Sequence, residues 1–128
     1  MPTGTTSFDQ KTADAAVRHI ILWEGFEDTV YADYNGVPHI GYGFALIVKS
    51  GGKWKIKDDL KDTLQAAGVA WEKADSEKLE EIRDTLNTGT AAQATALIDG
   101  HQFSTIAKPG AEQLTRNALP EYEGYVKI

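Results

Sequence analysis

Three side chains able to hold or move protons lie close together in the first third of this sequence: Glu24, Asp33 and His39. Glu24 prolongs an apolar stripe. Ala13, Ala16, Val17, Ile20 and Ile21 recur at the three- and four-residue spacing of one helix face, and position 24 is the next on it. A carboxyl group at the end of such a stripe, beside Trp23, must be paired or else keep its proton. Asp33 stands in a polar stretch with Tyr34 and Asn35, where a carboxylate stays charged. Two carboxyl groups in contrasting surroundings suit acid–base chemistry, one giving a proton while the other holds charge. Each also has a plainer role. Glu24 can be a helix-end carboxylate paired with Arg18 or Lys11, and an aspartate in a turn ordinarily serves its own backbone. His39 adds an imidazole, which can act as base, acid or nucleophile.

The elements that must position these groups follow from local patterns. The stripe predicts a helix from about Asp9 to Gly25, with Ser7 and Gln10 at capping-box spacing and Met1 to Ser7 as a frayed terminus. Val30 and Tyr31 favour strand, Asn35-Gly36 is a strong turn signal, and Val37 and Ile40 resume the strand, so a hairpin is expected over Thr29–Gly43. Gly41-Tyr42-Gly43 signals a bulge or a close approach of backbone to another group. Further on, Gly51-Gly52 marks a turn. Helices are expected over Asp58–Ala67 with Gly68 as stop, over Ser76–Leu86, and from a Thr90 cap through Ile98 to Gly100. Pro109 opens a last helix carrying Leu114, Ala118 and Leu119, which Pro120 kinks before Tyr122, Tyr125 and Val126. The fold class expected is α+β, a mostly helical domain with a small antiparallel sheet near its N-terminus.

Composition sets the outer bounds. The 128 residues are 41% hydrophobic and 25% charged, enough apolar material for one cored domain. Cysteine is absent, which excludes disulfides and thiol chemistry. The net charge of −6 argues against a nucleic-acid partner, and no apolar run has the length of a membrane span. The histidines show no metal-ligand spacing, so neither metal nor cofactor is expected. His19 and His101 read as structural or surface residues, and Trp54 and Trp71 as core. The acidic run from Glu72 to Asp84 reads as a solvated helix face.

Trp23-Glu24-Gly25-Phe26, Tyr31-Ala32-Asp33 and His39-Ile40-Gly41-Tyr42-Gly43 together resemble the active-site region of phage-type lysozymes and endolysins. That family carries Glu-Gly at a helix end, an Asp nine residues beyond the Glu, and a Thr-Ile-Gly-Tyr-Gly-like strand whose Thr follows the Asp by six. Both intervals hold here, over about 20 residues. The resemblance implies a muramidase that hydrolyses the β-1,4 bond between N-acetylmuramic acid and N-acetylglucosamine in bacterial peptidoglycan. Glu24 would be its general acid, and Asp33 would position a water for inversion. Tyr42, Gly41 and Tyr34 are the expected substrate contacts. His39 departs from the pattern by standing where the family has Thr. It is expected to face the same cleft and to replace the hydroxyl, alter the stereochemical route, or impair the site.

The resemblance also divides the chain, read as one lysozyme-like domain over residues 1–128. Residues 8–43 form the catalytic helix and hairpin, and 44–108 a helical elaboration. Residues 109–128, beginning Ala111-Glu112-Gln113-Leu114, are similar to the start of the family's inter-lobe helix. Most of the second lobe would then be missing, so a second chain or a C-terminal lobe is expected to complete the cleft. The N-terminus lacks a signal-peptide pattern. Synthesis in the cytoplasm is expected, with action on the cell wall after release, after injection or as part of a virion. The alternative expectation is a lysozyme-like module, catalytically impaired, that binds peptidoglycan or serves as half of a two-part protein.

Overall fold

The computed structural model describes residues 10–119. Ser7, the residues before it, and everything from Pro120 onward, including Tyr122, Tyr125 and Val126, lie outside the described residues. Helix α1 spans Gln10–Glu24 and ends where Gly25 takes a left-handed φ of 73°. Its stripe is buried as the spacing requires: Ala16, Val17 and Ile20 are at most 2% exposed, with Ala13 and Ile21 packed at the margin. Strands β1 (Glu27–Ala32) and β2 (Pro38–Gly41) pair antiparallel around a turn holding Asn35 and Gly36. A short third strand, β3 (Phe44–Ala45), adds to β2 and gives the sheet order β1-β2-β3.

The segment 44–108, expected as a mostly helical elaboration, holds three helices and also short strands. After β3 it forms a second hairpin, β4 (Ile47–Ser50) with β5 (Lys53–Ile56), turned at Gly51-Gly52. Three helices follow. Helix α2 (Leu60–Ala66) closes with Gly68 N–H on the Gln65 carbonyl and Val69 N–H on the Leu64 carbonyl. This paired closure is the Schellman arrangement, and the apolar side chains of Leu64 and Val69 that accompany it are both buried. Helix α3 (Lys73–Thr88) buries Leu79 and Ile82. Helix α4 (Ala91–Asp99) starts at a full capping box between Thr90 and Gln93. Helix α5 (Lys108–Asn117) has Pro109 in its first turn, where a missing N–H costs nothing.

Among the described residues, five helices and two small antiparallel sheets make an α+β fold, mostly helical. One apolar cluster joins them, from Val17 and Ile20 of α1 through Ile40 of β2 and Leu64 of α2 to Ile82, Ile98 and Leu114. Burial of such side chains, worth about 1.5–3 kcal/mol each, is the main force holding α1 and the sheet in one body. Helix α5 braces both. Its Ala111 packs on Gly41 of β2, where a Cβ would lie 2.9 Å from the Ala111 methyl, and its Arg116 pairs with Asp14 of α1 at 2.7 Å. Among the described residues, no helix is long and apolar enough to cross a membrane.

Candidate active site

The β1–β2 turn is built on Asp33. Its backbone N–H donates to the Val37 carbonyl at 3.0 Å, and Gly36 N–H donates to the Asp33 carbonyl at 2.9 Å. One carboxyl oxygen, Oδ1, accepts from Asn35 N–H at 2.8 Å and Val37 N–H at 3.0 Å. So the local backbone role of a turn aspartate is carried by Oδ1 alone. The other oxygen, Oδ2, is turned to His39, whose Nε2 stands 3.0 Å away.

His39 reaches that position by strand register. It lies opposite Tyr31 in the β1–β2 ladder, and the Tyr31 ring stacks along the imidazole with centroids 5.7 Å apart and planes 25° from parallel. The second ring nitrogen, Nδ1, is 3.2 Å from the Gly43 carbonyl oxygen. Both nitrogens therefore face oxygen acceptors. A neutral imidazole has one N–H and satisfies one of them; the imidazolium, or a proton held on Asp33, satisfies both. Neither nitrogen is presented to a bound substrate, so the base and nucleophile roles would require the ring to turn.

Gly43 joins this pair to Glu24. The last residue of α1, Glu24 is half-buried and lays its carboxyl against the Gly43 backbone, where a Cβ would come 2.7 Å from Glu24 Oε1. Gly43 also has a φ of 83°. Only glycine meets both conditions, since a side chain there would be strained and would displace the carboxyl. The close approach signalled by Gly41-Tyr42-Gly43 is thus divided: Gly43 meets the glutamate, and Gly41 meets helix α5. Arg18 is exposed and forms no ion pair with Glu24 among the described residues, which removes one of the two surface pairings that sequence offered.

The structure brings Glu24, Asp33 and His39 to one place, around the Gly43 turn. The proposed contact residues fare differently. Tyr34 is 94% exposed beside Asp33. Gly41 is buried against Ala111 and offers no surface to a ligand. Tyr42 is 5% exposed, its ring packed at 5.4 Å from that of Phe26. Burial raises the Tyr42 hydroxyl pKa above its ordinary value, with the negative charge of Glu112 acting in the same direction. Its side chain belongs to the core and does not face the turn. Tyr42 lies past the end of β2, between Gly41 and Gly43 with their left-handed φ of 72° and 83°, so the alternation of the strand does not extend to it. Trp23, expected to shelter Glu24, is instead 68% exposed and stacks on His19 one helical turn earlier.

A second polar cluster escaped the sequence. Asp75, within the acidic run read as solvated, is 2% exposed. It accepts from Glu72 N–H at 3.0 Å and Ser104 Oγ at 2.7 Å, and its Oδ1 is 2.9 Å from His101 Nε2. Burial alone would raise its pKa. The hydrogen bonds from Glu72, His101 and Ser104, with the charge of His101, outweigh that and leave it lowered. This cluster ties the start of α3 to the segment entering α5 and has no nucleophile facing a base. Its partners lie 26 and 29 residues away, so no local pattern announces it. Compared with protein-family models, curated proteins and solved structures, the chain matches none.

Proposed function

We propose that this protein is a muramidase acting on the glycan strands of bacterial peptidoglycan, with Glu24 as general acid and Asp33 as the paired carboxylate. One observation carries the reading. Glu24 at the end of α1 lies against the backbone of Gly43, whose carbonyl faces His39 Nδ1, and His39 Nε2 meets Asp33 of the β1–β2 turn, so the two carboxyl groups, nine residues apart, are linked through one turn. Glycosidic cleavage needs a proton for the leaving oxygen and a negative charge near the sugar carbon that becomes electron-poor. The half-buried Glu24 suits the first task and the hydrogen-bonded Asp33 the second. Asp33 Oδ2 keeps a second acceptor direction besides the one His39 takes, because a carboxylate oxygen has two. The resemblance to phage-type lysozymes supports the same assignment and an inverting route.

A second reading is favoured by His39. Its contact with Asp33 Oδ2 draws on the charge that the oxocarbenium-like transition state requires, which points to a module that holds glycan and cleaves it poorly. A turbidity assay on outer-membrane-permeabilised bacteria separates the two. Clearing by the wild type and none by Glu24→Gln is expected of the muramidase. Equal behaviour of the two proteins contradicts it.

A further inference from the structure

The nitrogens of His39 hold the ring less firmly than two contacts suggest. With Asp33 charged, a neutral imidazole has one N–H to share between Asp33 Oδ2 and the Gly43 carbonyl, so one hydrogen bond at a time fixes it. We infer that Tyr31 is a positioning residue for the candidate site: its ring clamps the His39 imidazole beside Asp33 and so sets how much of the Oδ2 charge stays available to the reaction. The inference rests on the muramidase reading for its consequence and deepens it by naming the residue that governs the second carboxylate.

The placement comes from the sheet. Tyr31 of β1 and Ala45 of β3 lie directly opposite His39, one on each side of β2. Side chains directly opposite in a ladder share a face, with Cβ atoms about 4.5–5.5 Å apart. The Asp33 N–H continues the ladder to the Val37 carbonyl, so Asp33, two residues beyond Tyr31, returns to that face. Of the two cross-strand neighbours of His39, Ala45 offers a methyl group and Tyr31 a whole ring. The Tyr31 and His39 rings lie 25° from parallel with centroids 5.7 Å apart, within the range of offset stacking. Both residues are half-buried, so the contact is partly shielded from water.

A stack of this kind favours the clamped ring over a turned one by about two- to tenfold. While clamped, the imidazole takes one direction of Oδ2 and draws on its charge. When it turns, Oδ2 is released much as His39→Thr would release it. A smaller residue at position 31 therefore frees the carboxylate without altering Glu24, Asp33 or His39 themselves. A tyrosine with only a structural role predicts the opposite, since its loss would loosen the hairpin and lower activity.

The test compares Tyr31→Val, which keeps a strand-favouring residue but no ring, with Tyr31→Phe, which keeps the ring. Tyr31→Leu takes its place if Tyr31→Val does not fold. Mass spectrometry follows acylation of His39 by diethyl pyrocarbonate, relative to the exposed His19 of the same molecule. The relative rate should rise about two- to tenfold in Tyr31→Val and stay at the wild-type level in Tyr31→Phe. Release of reducing ends from peptidoglycan should rise by a similar factor in Tyr31→Val despite lower stability. It should not rise when Tyr31→Val is added to His39→Thr, where no imidazole remains to be released. Ring-dependent shielding of His39 with no hydrolysis by any of these proteins supports the clamp and sinks the muramidase reading. Glu24-dependent hydrolysis with equal His39 reactivity in wild type and Tyr31→Val overturns the clamp alone. Turnover that falls in Tyr31→Val by the same factor with and without His39 also overturns it.

Discussion

At the scale of single residues, the two oxygens of Asp33 carry different duties. Oδ1 folds the turn and Oδ2 meets His39, so the aspartate is a structural and a chemical group at once. Asp33→Asn should then cost both most of the hydrolytic activity and some stability. The amide still offers one acceptor oxygen but can no longer serve two sets of donors and carry charge. A loss of about 1–2 kcal/mol in urea unfolding is expected, in line with the hydrogen bonds at stake. His39 is the informative position. His39→Thr frees Oδ2 and restores a hydroxyl, so turnover should rise from a low baseline, measured as release of reducing ends. The anomer first formed should be the inverted one. A variant unchanged in both rate and anomer would show that the imidazole has no bearing on the chemistry. The placement of His39 toward Asp33 follows from strand pairing with Tyr31, but its bond to the Gly43 carbonyl depends on a turn that sequence signalled only as a close approach.

Elements with strong local punctuation were legible in the sequence. The Thr90 cap, the Gly68 stop and the Pro109 start each mark a boundary within a residue or two of the observed one. The β4–β5 hairpin was not read, because its four-residue strands place only Ile47 in the core and leave both remaining faces mixed. Asp75 was misread for the opposite reason: its own segment looks solvated, and what buries it comes from far along the chain. Its lowered pKa makes a prediction about the α3 anchor. The unfolded chain takes up a proton before the folded one does, so the stabilisation is complete above the ordinary aspartate value of 3.8 and is lost as pH falls below it. Asp75→Asn should lower stability at pH 7 by about 1–3 kcal/mol and flatten the acid limb of a stability–pH curve. An equally steep limb in the variant would contradict the assignment. The Gly43 turn offers a second test at this scale. Gly43→Ala should cost about 1–3 kcal/mol from its positive φ and also remove activity by shifting Glu24. Gly51→Ala, strained in the same way but with open space around it, should cost stability without affecting activity.

For the molecule as a whole, one apolar cluster runs from α1 to α5, so the helix that bears Glu24 is held by residues almost a hundred positions away. Leu114, fully buried, is such a residue, and Leu114→Ala should cost about 2–5 kcal/mol in chemical denaturation and lower activity in proportion to the unfolded fraction. Charge acts at this scale too. A protein of net charge −6 is repelled by an anionic cell wall, so lysis at low ionic strength should quicken as salt is added toward about 0.15 M and the repulsion is screened. A steady decline with salt would mean that a local basic surface, rather than net charge, governs the encounter.

The central claim is that Glu24 delivers the proton that breaks a muramyl bond. Mass spectrometry of the products released from purified peptidoglycan tests it most directly. The account predicts soluble muropeptides with N-acetylmuramic acid at the reducing end from the wild type. It predicts none from a Glu24→Gln variant that melts at or above the wild-type temperature. The same products from folded Glu24→Gln, or none from the wild type, would contradict it.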